Sequence, residues 1–122
     1  MSVLIDDSRP IFLQIAERIE DDIIEGRLSA EDQVPSTNQF ASYYQINPAT
    51  AAKGVNVLVE QGILYKKRGI GMFVTKEARH ILMEKRRQLF FEQYVVTMLR
   101  EAKKLGITTK QLTDMIAKGD NV

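Results

Sequence analysis

The side chains best equipped for chemistry in this 122-residue sequence are cations: Lys66, Lys67 and Arg68 in a row, closed by Gly69, with Lys53 standing alone upstream. Cations beside a glycine turn suit the holding of anionic oxygen, such as phosphate. Covalent and acid–base chemistry are poorly served. Cysteine is absent, which removes thiolate nucleophiles, thiolate metal sites and disulfides. The one histidine, His80, sits in a basic helical stretch and cannot make a site alone. Glu20, Asp21, Asp22 and Glu25 crowd together, but on one helix they read as a solvated acidic face rather than a metal site. There is no phosphate-cradling glycine loop and no convincing carboxylate pair. An enzyme is not expected, and no cofactor or metal is called for.

The elements that position these cations follow from local signals. Pro10 suits a helix start and Gly26 a helix end, and between them Phe12, Ile15, Ile19 and Ile23 form one apolar stripe. Ser36 stands three residues before Gln39, the spacing of a capping box, which predicts a helix over about 37–43 with Phe40 and Ala41 inward. Tyr44-Gln45-Ile46 makes a turn, and Asn47-Pro48 opens a further helix running to about Gln61 and stopping at Gly62. Its inward face is Ala51, Val55, Leu58 and Val59. Two short helices joined by a tight turn, the second opening on small polar residues, make a helix-turn-helix pattern. Two β-prone runs, 63–66 and 72–75, then flank a glycine-containing turn whose tip is basic, so a hairpin is expected. The tyrosines Tyr43, Tyr44 and Tyr65 are expected to pack rather than to stack on bases.

From Lys76 to about Leu105 there is neither glycine nor proline, which predicts one long helix; Thr108 and Gln111 offer a second capping box for a short helix over about 109–118, with Leu112, Met115 and Ile116 inside. The long helix carries a stripe of Phe91, Val95, Met98, Ala102 and Leu105, widened by Ile81, Leu82, Leu89, Phe90, Val96 and Leu99; Ile81, Leu82, Leu89 and the stripe are the expected interface residues. One short helix cannot cover that surface, so a second copy of the chain is the natural cover and a homodimer is expected; packing back on the N-terminal domain is the competing arrangement. The fold class is thus mostly α with a small β-hairpin: a winged helix-turn-helix over 1–75, followed by a two-helix dimerisation region over 76–122.

Hydrophobic residues at 44% and charged residues at 27% fit a globular domain, and no run approaches the roughly 18–20 apolar residues of a membrane span. The first ten residues carry no basic region followed by an apolar core, so no signal peptide is read and a cytoplasmic location is expected. The net charge of +1 conceals a segregation along the chain. Residues 1–34 hold three basic against nine acidic residues, residues 35–75 four against one, and residues 76–122 ten against six.

Several ordered motifs carry a resemblance: Pro10-Ile11-Phe12-Leu13-Gln14-Ile15, Ile24-Glu25-Gly26-Arg27-Leu28, Val34-Pro35-Ser36, Ile46-Asn47-Pro48-Ala49-Thr50, Leu58 to Leu64, and Arg68 to Val74. Together they resemble the DNA-binding domain of GntR-family regulators, and the short helical tail looks like the YtrA-type subfamily. The resemblance implies a transcription regulator, in that subfamily typically a repressor, bound as a homodimer to a palindromic double-stranded operator. Recognition-helix candidates are Asn47, Ala49, Thr50, Ala52 and Lys53, with Ser36 and Asn38 at the preceding helix start and Lys66, Lys67, Arg68 and Gly69 on the wing. Family members usually carry arginine where this chain has Asn38, and asparagine loses the charge and the bidentate grip on guanine. The other class considered is a winged helix that binds protein or RNA. The tail is too short to enclose a ligand pocket of its own, so whether a small effector binds is left open.

Overall fold

The structure, a computed structural model, describes residues 8–121. Residues 1–7 of the expected first domain, on which the targeting expectation largely rests, lie outside them.

Three helices open the chain: α1 Ile11–Ile24, α2 Thr37–Tyr44 and α3 Pro48–Glu60. In α1 the apolar stripe turns Ile15, Ile19 and Ile23 fully inward, each contributing roughly 1.5–3 kcal/mol by burial. Pro10 is the residue before the first helical one, so its missing N–H costs nothing. Glu20 departs from the solvated-face expectation: it is 3% exposed, because the inward stripe is wide enough to take it in. Both expected caps form. Ser36 Oγ accepts from Gln39 N (3.1 Å) while Gln39 Oε1 accepts from Ser36 N (2.7 Å), and Asn47 Oδ1 accepts from Ala49 N at 2.8 Å. Between α2 and α3, Gln45 takes a left-handed conformation (φ 58°).

The hairpin follows as β1 Leu64–Lys67 and β2 Gly71–Val74, antiparallel, with Tyr65 opposite Phe73 and Lys67 opposite Gly71. The loop before α2 is more ordered than expected. Val34 N bonds Met72 O (2.9 Å), and Glu31 and Asp32 exchange bonds with Val74 (2.8 and 2.9 Å), so residues 31–34 line the second edge of β2.

Helix α4 spans Ala78–Phe90, continues through a π-helical turn at Phe91–Val95, and resumes as α5 Val96–Lys104; α6 Thr109–Gly119 closes the described chain. At the π turn Val96 N–H reaches Phe91 O, five residues back. The second capping box, Thr108 with Gln111, is present. Helix α6 runs one residue past the expected end at 118, closing on Gly119.

Two compact units divide between Glu84 and Lys85, not at the expected 75/76 junction. The reason is that Ala78 and Leu82 belong to the core of the first unit, with Ile15, Ile19, Leu58, Ile63 and Val74.

Candidate nucleic-acid interface

The first unit gathers its polar and basic candidates at three places: the opening turn of α2, the outward face of α3, and the wing. At α2, capping uses the acceptor side of Ser36 and leaves its hydroxyl proton to donate outward. Asn38, exposed in the same turn, has no side-chain partner among the described residues. Asn47 caps α3 through its carbonyl oxygen, so its NH2 group stays available. Ala49 and Lys53 are exposed and Thr50 and Ala52 half-buried on α3, while Ala51, Gly54, Val55 and Leu58 face the core. Ala49, Ala52 and Lys53 share a shallow surface hollow with Asn56, Val57 and Glu60.

The close fit of α1 to α3 rests on Gly54, where a Cβ would stand 2.6 Å from the Phe12 carbonyl oxygen. At the same crossing the Phe12 ring lies 4.1 Å from Lys53 Nζ, centroid to nitrogen. Lys53 is thus held by a cation–π contact and not by a carboxylate.

On the wing, Lys66, Lys67 and Arg68 are all exposed, the two lysines at the end of β1, and the Lys67 ammonium lies 4.4 Å from the Phe73 ring centroid. The tip is Arg68-Gly69-Ile70. Ile70 N bonds Lys67 O at 2.9 Å, and Gly69, third residue of this turn, has φ +77°, the positive value that a type II turn requires there. Gln33 Nε2 donates to Ile70 O at 3.2 Å and braces the tip from the neighbouring segment. Tyr65 donates to the Glu31 carboxylate, which holds its phenol above the usual tyrosine pKa. Tyr44 is also raised, by burial first, with nearby Arg18 opposing. Tyr44 is buried against Phe40 and Tyr43 in α2, so it packs as expected.

A second surface lies beyond Glu84. Phe91 and Leu105 are exposed, and Leu89, Val95 and Met98 are half-buried. Two expected interface residues are corrected. Leu82 is fully buried in the first unit's core, and Ala102 is 4% exposed beside the α5–α6 turn, so neither has surface to offer a partner. Ile81 is half-buried against that same first core. In α6 only Leu112 is buried; Met115 and Ile116, expected inside, are about half exposed (54% and 55%). Phe90 and Leu99, expected on the apolar surface though not among the interface residues, are exposed, and Tyr94 adds exposed apolar area that the sequence reading did not include.

Sequence reasoning missed four contributors. Phe12 and Gly54 act at a crossing of helices distant in sequence, and Gln33 braces a loop it does not adjoin. Asn56 was legible in principle, since it lies one helical turn beyond Lys53 on the outward side of α3.

No described helix is long and apolar enough to cross a membrane. A sequence profile of the family described as bacterial regulatory proteins, gntR family, matches residues 12–74. The transcriptional repressor YtrA of Bacillus subtilis is 27% identical over 109 residues, covering 89% of this chain and 83% of YtrA. A GntR-family transcriptional regulator from Listeria monocytogenes superposes with a TM-score of 0.75 at 31% identity, covering 93% of this chain and 98% of that one. The DNA-binding domain of AraR, solved in complex with an operator, covers 62% of this chain and 90% of its own at 28% identity and TM-score 0.54. A winged helix-turn-helix with a short helical tail, matched in sequence and in fold along these lengths, places the chain in the GntR family of bacterial transcription regulators, of the YtrA type and not an enzyme.

Proposed function

We propose that the chain is a homodimeric repressor that binds a palindromic double-stranded operator, α3 lying in the major groove and the wing tip at the flanking minor groove. The observation that carries the dimer is a shortage of core. Beyond Glu84, Ala102 and Leu112 are the apolar side chains sealed among the described residues, while Phe90, Phe91, Tyr94, Leu99, Leu105, Met115 and Ile116 are exposed. A unit so poorly filled gains stability from a second copy, whose equivalent face is apolar in the same way.

Two-fold symmetry then sets the operator: two inverted half-sites about one helical turn apart, roughly 34–36 Å between centres. Ser36, Asn38, Asn47, Thr50 and Lys53, with Lys66 and Arg68, form the contact set; Lys67 serves with its charge resting on Phe73. The repressor role is supported by the similarity to YtrA of Bacillus subtilis, and a regulator of chromosomal operators works in the cytoplasm.

The test is a labelled duplex selected from a random pool by the wild-type chain, followed by anisotropy and sedimentation equilibrium. The selected duplexes should share an inverted repeat. Phe91→Glu/Leu105→Glu should give a monomer that binds roughly a hundredfold more weakly, since the gain from linking two half-sites is lost. A double variant that stays dimeric removes these residues from the interface. A pool from which no duplex is recovered would instead favour a protein- or RNA-binding role.

A further inference from the structure

We propose that Phe12 is a positioning residue for DNA binding, its ring holding the Lys53 ammonium in place on α3 to meet a backbone phosphate. The proposal rests on α3 being the recognition helix.

Lysine on an exposed helix face is a flexible four-carbon chain, and fixing it at a phosphate costs rotamer entropy at the moment of binding. In this protein part of that ordering precedes DNA. Lys53 is exposed, yet its Nζ lies 4.1 Å from the Phe12 ring centroid. The backbone that carries the ring is well placed: Phe12 sits in the first turn of α1, half-buried, with its carbonyl packed close to Gly54, the residue next to Lys53. An acidic alternative lies on the same face, because Glu60 borders the hollow that Lys53 lines. No described carboxylate pairs with Lys53. That difference matters chemically. A carboxylate would hold the ammonium and cancel its charge, whereas a ring holds it and leaves the charge to attract phosphate. The wing repeats the arrangement, with Lys67 Nζ 4.4 Å from the Phe73 centroid.

The test uses the full chain and a duplex selected from a random pool by the wild type. Phe12→Leu should weaken binding about two- to fivefold, the range expected of an exposed cation–π contact, and Phe12→Tyr should restore it. In a Lys53→Met background the same Phe12→Leu change should have no effect, an outcome that a merely structural role for Phe12 would not produce. In the free protein, the Lys53 Hε resonances should carry an upfield ring-current shift that Phe12→Leu removes. Should the leucine variant unfold, Phe12→Met serves as the second lesion of similar bulk. The proposal is overturned if Phe12→Leu binds as wild type, if it binds more tightly, or if it weakens binding equally without Lys53. Recovery of no duplex at all by the wild type would sink the DNA-binding assignment itself, an outcome distinct from these.

Discussion

Gly54 faces Phe12 across the α1–α3 crossing with no room for a side chain, since a Cβ there would lie 2.6 Å from the Phe12 carbonyl oxygen and 3.1 Å from Ile15 Cβ. Alanine in place of glycine inside a helix ordinarily stabilises by about 1 kcal/mol. Here the order is reversed. Backbone must move to admit the methyl, so Gly54→Ala should destabilise by about 1–3 kcal/mol, read as a lower urea midpoint at unchanged m-value. Because the displaced element is α3, DNA binding should fall with it.

The two capping boxes separate folding from recognition. Ser36→Ala and Thr108→Ala each remove an oxygen that accepts from the third backbone N–H of its helix, and each should cost about 1 kcal/mol in thermal or urea unfolding. Only Ser36 opens a helix proposed to face DNA. Operator affinity, measured well below the melting range, should therefore drop for Ser36→Ala and stay level for Thr108→Ala.

Arg68 offers the complementary case. It is exposed at the wing tip with no side-chain partner among the described residues, so Arg68→Ala should change stability by less than about 0.5 kcal/mol. If Arg68 neutralises one phosphate, the slope of log affinity against log salt should shrink by about one unit. Anisotropy titrations at several salt concentrations check both the affinity and the slope; an unchanged slope strikes Arg68 from the contact set.

Tyr65 gives a pH signature. Its phenol donates to Glu31, which favours the protonated form and raises the folded-state pKa above the ordinary tyrosine value of about 10. A raised folded value means the stabilisation is fully present below pH 10 and is lost as pH rises through the folded value. The melting temperature of Tyr65→Phe should thus lie below wild type at neutral pH, and the gap should close in strongly alkaline buffer. A gap that persists unchanged would show that the phenol proton is not what the contact depends on.

What could be read from the sequence was whatever is decided within a few residues. Ser36 with Gln39, Asn47 with Pro48, and Gly69 in its turn each announce their local geometry, and the helix-turn-helix and wing follow from them. What the sequence hid depends on distant neighbours. Residues 31–34 look like a loop because their partners, Met72 and Val74, lie far along the chain. Glu20 is acidic by type and buried by location. The helix continuing past residue 75 was visible, but not that its first turns complete the core through Ala78 and Leu82, which took Leu82 out of the expected interface. Nor does periodicity announce the π turn at Phe91–Val95, which rotates the apolar stripe before it from the one after it.

The wing tip divides its residues between those the backbone has claimed and those it has not. Gly69 and Gly71 are fixed by their positive φ, +77° and +147°. Arg68 and Ile70, interleaved with them, are exposed, and neither belongs to the hydrophobic core. Residues 68 and 70 can therefore be exchanged with little effect on the stability of the domain, and under the proposed function an exchange at Arg68 would change operator binding while the scaffold stays as it is. The turn thus keeps two alternate positions open to change between two that are not.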